Sequence, residues 1–254
     1  MTVEPSWSLL VAVVALTAIA VGAAAVGRVP IRVAVPIAVV RAGAQLAAAA
    51  LVITAALQHL ALAAAVVAFM YVVAVLTAAR RSGAGSTWPW VALAIAGGWL
   101  PVLGVIFGTG MVPLQPETLI PFGGIVVGGT MTAVSQGTRR ACQALRDGLA
   151  QFEAGLALGL LPRDAAGELT GRYTAESLFP VLDQTRTVGV VTLPGAFIGV
   201  LLGGGSPAEA AAAQIVVLVG LIAAETVGVV TATRLVDSGR LLDAELRTHR
   251  LLWD

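Results

Sequence analysis

The sequence predicts an all-α protein, a polytopic transmembrane bundle of about seven helical spans. Its 254 residues are 58% hydrophobic and only 11% charged, and the mean hydropathy is +0.92. A soluble domain carries about 25% charged residues, because its surface must face water. Long apolar stretches recur along the chain, and all the arginines except Arg41 lie in alternate connections between them or in the C-terminal tail. Lipid is therefore the expected solvent for most of the surface.

Seven apolar stretches approach the roughly 20 residues that a transmembrane helix needs. The predicted spans are 8–26, 33–57, 60–79, 88–109, 119–138, 187–204 and 209–233. The first stretch follows an N-terminus without a basic region, which favours a retained span over a cleaved signal peptide. Residues 139–186 form a long polar loop, and residues 234–254 are a candidate amphipathic helix. We expect residues 1–254 to form a single transmembrane domain.

The arginines predict the orientation of the bundle. They lie between the first two spans, after the third, in the loop 139–186 and in the tail. With seven spans, all these segments fall on one side, and the connections on the other side contain no Arg. Because basic loops stay in the cytoplasm, the loop and the C-terminus are predicted to be cytoplasmic and the N-terminus outside. The expected location is the plasma membrane, with multiple passes.

Composition excludes several functions for this chain. All fifteen basic residues are Arg, whereas a P-loop ATPase requires a Lys that reaches the phosphates. The single Cys142 excludes an internal disulfide and a Cys-based metal cluster. His59 and His249 are the only histidines, so no metal site is predicted. We expect neither an enzyme nor a cofactor in this chain, and no nucleic-acid partner.

Two ionisable residues lie inside predicted spans. Arg41 is nine residues beyond Arg32, and Glu225 is nine residues before Arg234. At about 1.5 Å per residue, the two charges should reach similar depths in the bundle. An unpaired charge at such a depth costs roughly 2.5–3.5 kcal/mol. We therefore predict that Arg41 and Glu225 pair or that both face a polar cavity, with Gln45 one turn from Arg41; a static ion pair and a substrate contact both remain open.

Small and helix-breaking residues mark close packing and a possible break in a span. Glycines recur at a spacing of four residues, which lets helices approach closely and predicts tight packing within the bundle or a dimer seam. These are Gly104/Gly108, Gly124/Gly128 and Gly195/Gly199/Gly203. Prolines fall in or at the start of spans at Pro36, Pro101, Pro121 and Pro194. The segment around Pro194 and Gly195 predicts a discontinuous helix, which is tolerated where it lines a cavity and favours a transporter.

The loop 139–186 contains a candidate coupling helix. Glu153, Ala154, Gly155 and Gly159 follow the E-A-A-x-x-x-G pattern by which importer permeases of ABC transporters contact their ATPase, with Gly in place of the second Ala. A short helix of this kind can dock into a groove on a partner. Residues 150–162 are the predicted contact, supported by residues 163–185.

Several blocks together resemble one family of membrane proteins. The runs IPFGGIVVGGTMTAVS (120–135), EAGLALG (153–159), FPVLDQTRTVGVVTLPGAFIGVLLGGGSPAEAAAAQIVV (179–217) and VRAGAQL (40–46) are similar to the FetB-type (YbbM-like) permeases of ABC transporters. That family includes a bacterial iron exporter and plant aluminium-tolerance permeases. Where it commonly has G-N-x-M, this chain has Gly128, Gly129, Thr130 and Met131. It also lacks the two methionines that usually follow the L-P-G of the broken helix.

The resemblance implies a permease subunit that forms a homodimer and binds two copies of a separate ATPase, which holds the ATP and Mg. Export of a metal ion such as iron, or of a small solute, is the implied activity. The implied substrate pathway includes Met131, Pro194 and Gly195 besides Arg41, Gln45 and Glu225. The alternatives are a secondary transporter or channel that uses the Arg/Glu pair alone, and a structural membrane protein. A neighbouring gene for a small ABC-type ATPase would discriminate between them.

Overall fold

A computed structural model describes residues 7–253 of the chain. Helices account for the regular structure throughout this range, and a single isolated bridge joins Val188 and Thr192 without forming a strand. Predictions that fall on residues 1–6 and 254, including the external position of the N-terminus, lie outside the described residues. Within this range the structure confirms the predicted all-α fold.

Ten α-helices follow one another between residues 7 and 237. They are α1 (Trp7–Val26), α2 (Ala34–Ala56), α3 (Leu60–Arg81), α4 (Trp88–Gly108), α5 (Pro116–Asp147), α6 (Leu149–Ala157), α7 (Pro162–Glu176), α8 (Phe179–Thr187), α9 (Gly195–Leu202) and α10 (Pro207–Asp237). Short 3₁₀ helices cover Gly85–Thr87 and Leu246–Trp253. The chain divides into two compact units, Met1–Leu62 and Ala63–Asp254.

Six described helices are long and apolar enough to cross a membrane: α1, α2, α3, α4 together with the turn before it, α5 and α10. They correspond to six of the seven predicted spans. The predicted span 187–204 differs, because only α9 forms in it, over eight residues. At 1.5 Å per residue α9 is about 12 Å long, which is too short to cross a bilayer alone.

The second unit is organised around α10, which packs against α4 and α5. A Cβ atom built on Gly129 of α5 would lie 2.7 Å from Oε1 of Glu225, and one on Gly137 would lie 3.2 Å from Cγ1 of Val229. Later residues of α5 thus meet later residues of α10. Arg146, in the last turn of α5, pairs with Asp243, which follows α10. The two long helices therefore run parallel.

The crossing of α4 and α10 is the closest helix contact that the glycines reveal. A Cβ atom on Gly98 would overlap the carbonyl oxygen of Ala224 and would lie 3.1 Å from the backbone nitrogen of Gly228. Gly228 in turn faces the carbonyl oxygen of Ala94, at 3.4 Å from its ideal Cβ. The two backbones are in direct contact here, as small residues permit.

The predicted glycine motifs do not mark this contact. Within the described residues, ideal Cβ atoms on these five glycines have no neighbour within 4 Å: Gly104, Gly108, Gly128, Gly195 and Gly199. The predicted tight packing is therefore absent at these five positions, whereas a Cβ atom on Gly124 would lie 3.3 Å from Sδ of Met70 on α3. Sequence spacing shows which glycines share a helix face but not which face meets a neighbour.

Local sequence explains where the long helices begin. Ser206 caps α10: its backbone nitrogen donates to Oε2 of Glu209, at 2.7 Å, and its hydroxyl oxygen accepts from the backbone nitrogen of Glu209. This reciprocal capping box satisfies amide groups that otherwise lack partners at a helix start. Pro207 occupies the first turn, where its missing N–H costs nothing.

The C-terminal tail is not a separate amphipathic α-helix. Leu235 and Val236, at its predicted start, still belong to α10, and Leu241, Leu242 and Leu246 are fully buried. The remaining part is a 3₁₀ helix whose first amide donates to Oδ1 of Asp243, at 3.0 Å. These three leucines are thus covered by the protein itself.

Candidate functional site

Between α5 and α10, the helices α7, α8 and α9 run along α10 with an interruption at residues 188–194. We call this segment the broken crossing. At one end, the hydroxyl of Thr170 on α7 donates to Oδ1 of Asp237 at 2.7 Å. Farther along, Val181 of α8 packs against Val217 and Leu221 of α10. At the other end, the amide of Phe197 in α9 donates to Oε1 of Gln214 at 3.3 Å. The segment therefore follows α10 in the opposite direction.

The parallel arrangement of α5 and α10 requires that the chain cross the layer once more between them. Two parallel helices must be joined by a connection that returns across the same layer, and α7, α8 and α9 provide that return in pieces. Residues 188–194 interrupt it with a positive φ of 80° at Gly189, and Pro194 then begins α9. The predicted discontinuous helix is present. The break begins at residue 188, earlier than Pro194. The returning segment also includes α8. Val181 of α8, which the sequence analysis assigned to the polar loop 139–186, therefore lies beside the middle of α10.

A polar pocket lies where α8 faces α5 and α10. We call it the Glu225 pocket; its volume is about 340 Å³. Its lining is Gly128, Gly129, Thr132, Ala133, Gln136, Ser177, Pro180, Val181, Gln184 and Glu225. Five of these side chains carry oxygen atoms, and Glu225 is the only charged one among them.

Glu225 has no partner in the described part of its own unit. Within residues 63–253 its carboxylate takes part in no hydrogen bond and no ion pair, although the residue is half-buried. An unpaired charge at membrane depth is costly and is typical of a functional position. Gly129 makes room for it, because any side chain at that position would collide with Oε1 of Glu225 and Cδ2 of Leu221.

The two hydroxyl groups of the pocket are already committed as donors. Thr132 donates to the carbonyl oxygen of Gly128 at 3.0 Å, and Ser177 donates to that of Tyr173 at 2.8 Å. A hydroxyl has one proton, so both oxygens can now only accept. The pocket therefore combines one negative charge with oxygen atoms that present lone pairs.

The other predicted pathway residues lie elsewhere. Met131 is half-buried on α5 and is not part of the pocket lining. Pro194 and Gly195 form the start of α9 at the break. Arg41 and Gln45 belong to α2 in the first unit, where both are exposed. The pairing of Arg41 with Glu225 and the roles of these residues in transport stay predictions.

Sequence reasoning singled out Glu225 but missed the rest of the pocket. Gln136 lies within the predicted span 119–138, and an amide inside a span is a signal that could have been used. Gln184, Thr132 and Ser177 gave no comparable signal, because their contribution depends on how α8 folds against α5 and α10.

The candidate coupling residues lie on a helical hairpin formed by α6 and α7. Phe152 and Gly155 point inward, and a Cβ atom on Gly155 would lie 3.2 Å from that of Ala165. Glu153 and Ala154 are exposed on the outer side of α6. The hairpin thus presents one face of the predicted coupling helix and buries the other.

The turn between α6 and α7 is apolar and exposed. We call residues 158–161 the hairpin tip. Leu158 is 86% exposed, Leu160 46% and Leu161 55%. Gly159 adopts a φ of 91°, a conformation that favours glycine. Three exposed leucines within four residues are typical of a contact surface.

Trp253 connects this hairpin to α10. Its ring stacks on Phe152 of α6 with a centroid separation of 4.7 Å. Its indole nitrogen donates to the carbonyl oxygen of Asp237, the last residue of α10, at 2.9 Å. The helix that carries the predicted coupling residues is therefore fixed to the helix that carries Glu225.

Six described helices are long and apolar enough to span a membrane, and the second unit combines a broken crossing with a carboxylate that has no partner in the described part of that unit. These features define a class of protein. Irregular backbone at membrane depth is tolerated where it lines a cavity, and transport proteins use such helices to form their binding sites. The chain is a multi-span membrane protein of this transporter type.

Comparison with known proteins identifies the family. The chain belongs to the family described as "Uncharacterised protein family (UPF0014)", which matches residues 7–239. This confirms the predicted resemblance. No solved structure matches the chain.

Three relatives illustrate the family. Protein ALUMINUM SENSITIVE 3 of Arabidopsis thaliana is 36% identical over 183 residues, which cover 71% of this chain and 67% of that protein. UPF0014 membrane protein STAR2 of Oryza sativa subsp. japonica is 34% identical over 144 residues, 57% of this chain and 50% of that protein. The probable iron export permease protein FetB of Escherichia coli (strain K12) is 29% identical over 130 residues, 51% of this chain and 50% of that protein.

Proposed function

We propose that this chain is the membrane permease subunit of an ATP-driven ABC transporter, and that a separate ATPase subunit docks on the hairpin tip. The observation that carries the proposal is the hairpin itself, which exposes Glu153, Ala154 and three leucines on a rigid support. The permease name of the Escherichia coli relative agrees with this role. Since the chain has no Lys, ATP and Mg would be held by the partner.

The transporter would contain two copies of this chain and two ATPase subunits, embedded in the plasma membrane with the hairpin tip in the cytoplasm. Closure of the ATPase pair on ATP would pull on α6. Trp253 would transmit the displacement to α10, and the broken crossing would let the Glu225 pocket open to alternate sides. Export is the proposed direction, in keeping with the name of the same relative.

Copurification of an ABC-type ATPase with this chain from its native membrane tests the proposal. We expect the ATPase to copurify with the unaltered chain and to be lost from Leu158→Asp, because a charge would replace the most exposed leucine of the tip. Leu114→Asp is the matched control. Leu114 is 53% exposed in the connection between α4 and α5, at the opposite end of the bundle.

Equal copurification with Leu158→Asp and Leu114→Asp would contradict docking at the tip. Solute flux in proteoliposomes that contain this chain without any ATPase would contradict the proposal as a whole. It would instead support a secondary transporter or channel.

A further inference from the structure

We infer that the connection between α1 and α2 binds the phosphate group of an anionic phospholipid. The connection consists of residues 27–33 of the first unit. Together with the start of α2 it forms a pocket of about 290 Å³, which we call the arginine pocket. Its lining is Arg28, Val29, Pro30, Arg32, Val33 and Ala34. The inference goes beyond the proposed function and does not depend on it.

Both charges of the arginine pocket are positive, and no carboxylate in the described part of the first unit neutralises them. Residues 7–62 contain no Asp and no Glu. The second unit differs, because several of its arginines form ion pairs with carboxylates: Arg140, Arg146, Arg163, Arg172 and Arg186. The arginine pocket therefore keeps two guanidinium groups available for an anion from outside the unit.

Local structure fixes where the two arginines lie. At the end of α1 the amide of Val29 donates to the carbonyl oxygen of Ala24 at 2.9 Å, as in a Schellman motif. Arg28 occupies the left-handed position of this motif, with a φ of 55°, where glycine is usual. Arg32 donates from Nη2 to the carbonyl oxygen of Ala25 at 2.8 Å, which holds its guanidinium against the end of α1.

The chemistry of the two side chains favours phosphate as the ligand. A guanidinium has five N–H donors, so Arg32 keeps donors for a ligand beside its bond to Ala25. Planar guanidinium groups match the geometry of phosphate oxygens and bind two of them at once. A water molecule occupies about 30 Å³ in the liquid, so a volume of about 290 Å³ holds a phosphate group together with several waters.

The position of the pocket selects a lipid over a free phosphate ion. The connection joins two helices that are each long and apolar enough to cross a membrane, so it lies at a membrane surface. Apolar side chains are exposed beside the arginines: Val26, Val29, Ile31 and Val33. A phospholipid satisfies both groups, because its phosphate contacts the arginines while its acyl chains cover the apolar side chains. The arginines predict that this connection faces the cytoplasm, where the membrane surface is negative because of anionic lipids.

Lipid binding to the purified full-length chain tests the inference. Native mass spectrometry counts the lipids that stay bound when the chain is released from detergent, and a titration gives their affinity. The probes are phosphatidylglycerol, which is anionic, and phosphatidylcholine, whose headgroup has no net charge. We expect phosphatidylglycerol to bind more tightly. Arg28→Gln and Arg32→Gln should each lower its affinity about fivefold, and the double variant about thirtyfold, the scale of one and two basic side chains at an anionic membrane surface.

Arg28→Gly separates a loss of binding from a loss of structure. Glycine adopts a φ of 55° without strain, so this variant should fold at least as stably as the unaltered chain and still bind phosphatidylglycerol about fivefold more weakly. Arg172→Gln is the matched control, because the side chain of Arg172 is 84% exposed and pairs with Glu176. It should leave the affinity unchanged.

Equal affinities of the unaltered chain for phosphatidylglycerol and phosphatidylcholine would overturn the inference. An unchanged affinity in the double variant, or an equal loss in Arg172→Gln, would overturn it as well. Displacement of phosphatidylglycerol by inorganic phosphate would also do so, because the pocket would then be a site for the free ion. None of these outcomes involves the ATPase, so the docking proposal is tested separately.

Discussion

The C-terminal end and the middle of α10 differ in how completely their polar groups are paired. Near Asp237, α10 is held by Thr170, by Thr233 bonded to Thr174 at 3.1 Å, and by the indole of Trp253. Three turns earlier, Glu225 faces a pocket and has no partner in the described part of its unit. The end of α10 is fixed by several polar contacts, whereas the middle of the helix carries a carboxylate without such contacts.

The same contrast appears in the segment that returns beside α10. The helix α7 is continuous over fifteen residues and bonds to α10 through side chains. Beyond it the chain breaks at residues 188–194, where Val190 is 89% exposed. Continuous helix accompanies the paired end, and interrupted helix accompanies the pocket. This difference predicts that removal of a carboxylate lowers the free energy of unfolding at the paired end and raises it at the Glu225 pocket.

The largest effect is expected for Asp243→Ala at the paired end. Asp243 forms an ion pair with Arg146 and caps the 3₁₀ helix through Leu246. Its side chain is 9% exposed, and without it Arg146 keeps only the exposed Glu245 as an ion-pair partner. Because the helix cap is lost as well, we expect the free energy of unfolding to fall by about 3 kcal/mol. Chemical unfolding in detergent micelles measures this. A loss below about 0.5 kcal/mol, the scale of an exposed pair, would contradict the account.

Trp253→Ala should have the next largest effect. It removes the stacking on Phe152 and the hydrogen bond to Asp237, and we expect a loss of about 2 kcal/mol in the free energy of unfolding. Trp253→Phe keeps the stacking and should lose about 1 kcal/mol, the value of the hydrogen bond. Both variants are measured by the same unfolding assay. Identical losses would show that only one of the two contacts matters.

Glu225→Gln should act in the opposite direction. Because the carboxylate is unpaired within its unit, its replacement by a neutral amide should raise the free energy of unfolding by about 1 kcal/mol. The same unfolding assay measures this. A loss comparable to that of Asp243→Ala would mean that Glu225 is a structural partner, as in the static ion pair with Arg41.

The smallest effect is expected for Asp183→Ala. Asp183 and Arg186 lie 3.5 Å apart on α8, and their side chains are 69% and 74% exposed. Exposed pairs contribute little, so the free energy of unfolding should change by less than about 0.5 kcal/mol. This variant calibrates the comparison, since it removes an ion pair without removing a buried contact. A change above about 1 kcal/mol would show that α8 is held more firmly than its contacts indicate.

The sequence was sufficient for the features that depend on local composition. Six of the predicted spans correspond to helices, because an apolar stretch of sufficient length forms a helix in lipid whatever its neighbours are. The break near Pro194 followed from a proline and adjacent glycines. Glu153, Ala154 and Gly155 lie in a short helix, as predicted, but this helix ends at Ala157 and Gly159 belongs to the turn that follows.

The features that depend on tertiary contacts could not be predicted. Gln136 and Gln184 are 48 residues apart, and they line one pocket only because α8 folds back along α5 and α10. The backbone contact between Gly98 and Ala224 likewise joins two spans whose pairing no local pattern reveals. The covered tail was also missed, because its buried leucines lie at helical spacing and resemble a free amphipathic helix.

The central claim is that a separate ATPase subunit docks on the hairpin tip of this permease. The most direct measurement is copurification of an ABC-type ATPase with the unaltered chain, with Leu158→Asp and with Leu114→Asp. We predict that the ATPase copurifies with the unaltered chain and with Leu114→Asp and is lost from Leu158→Asp. Equal copurification with the two variants would contradict the claim.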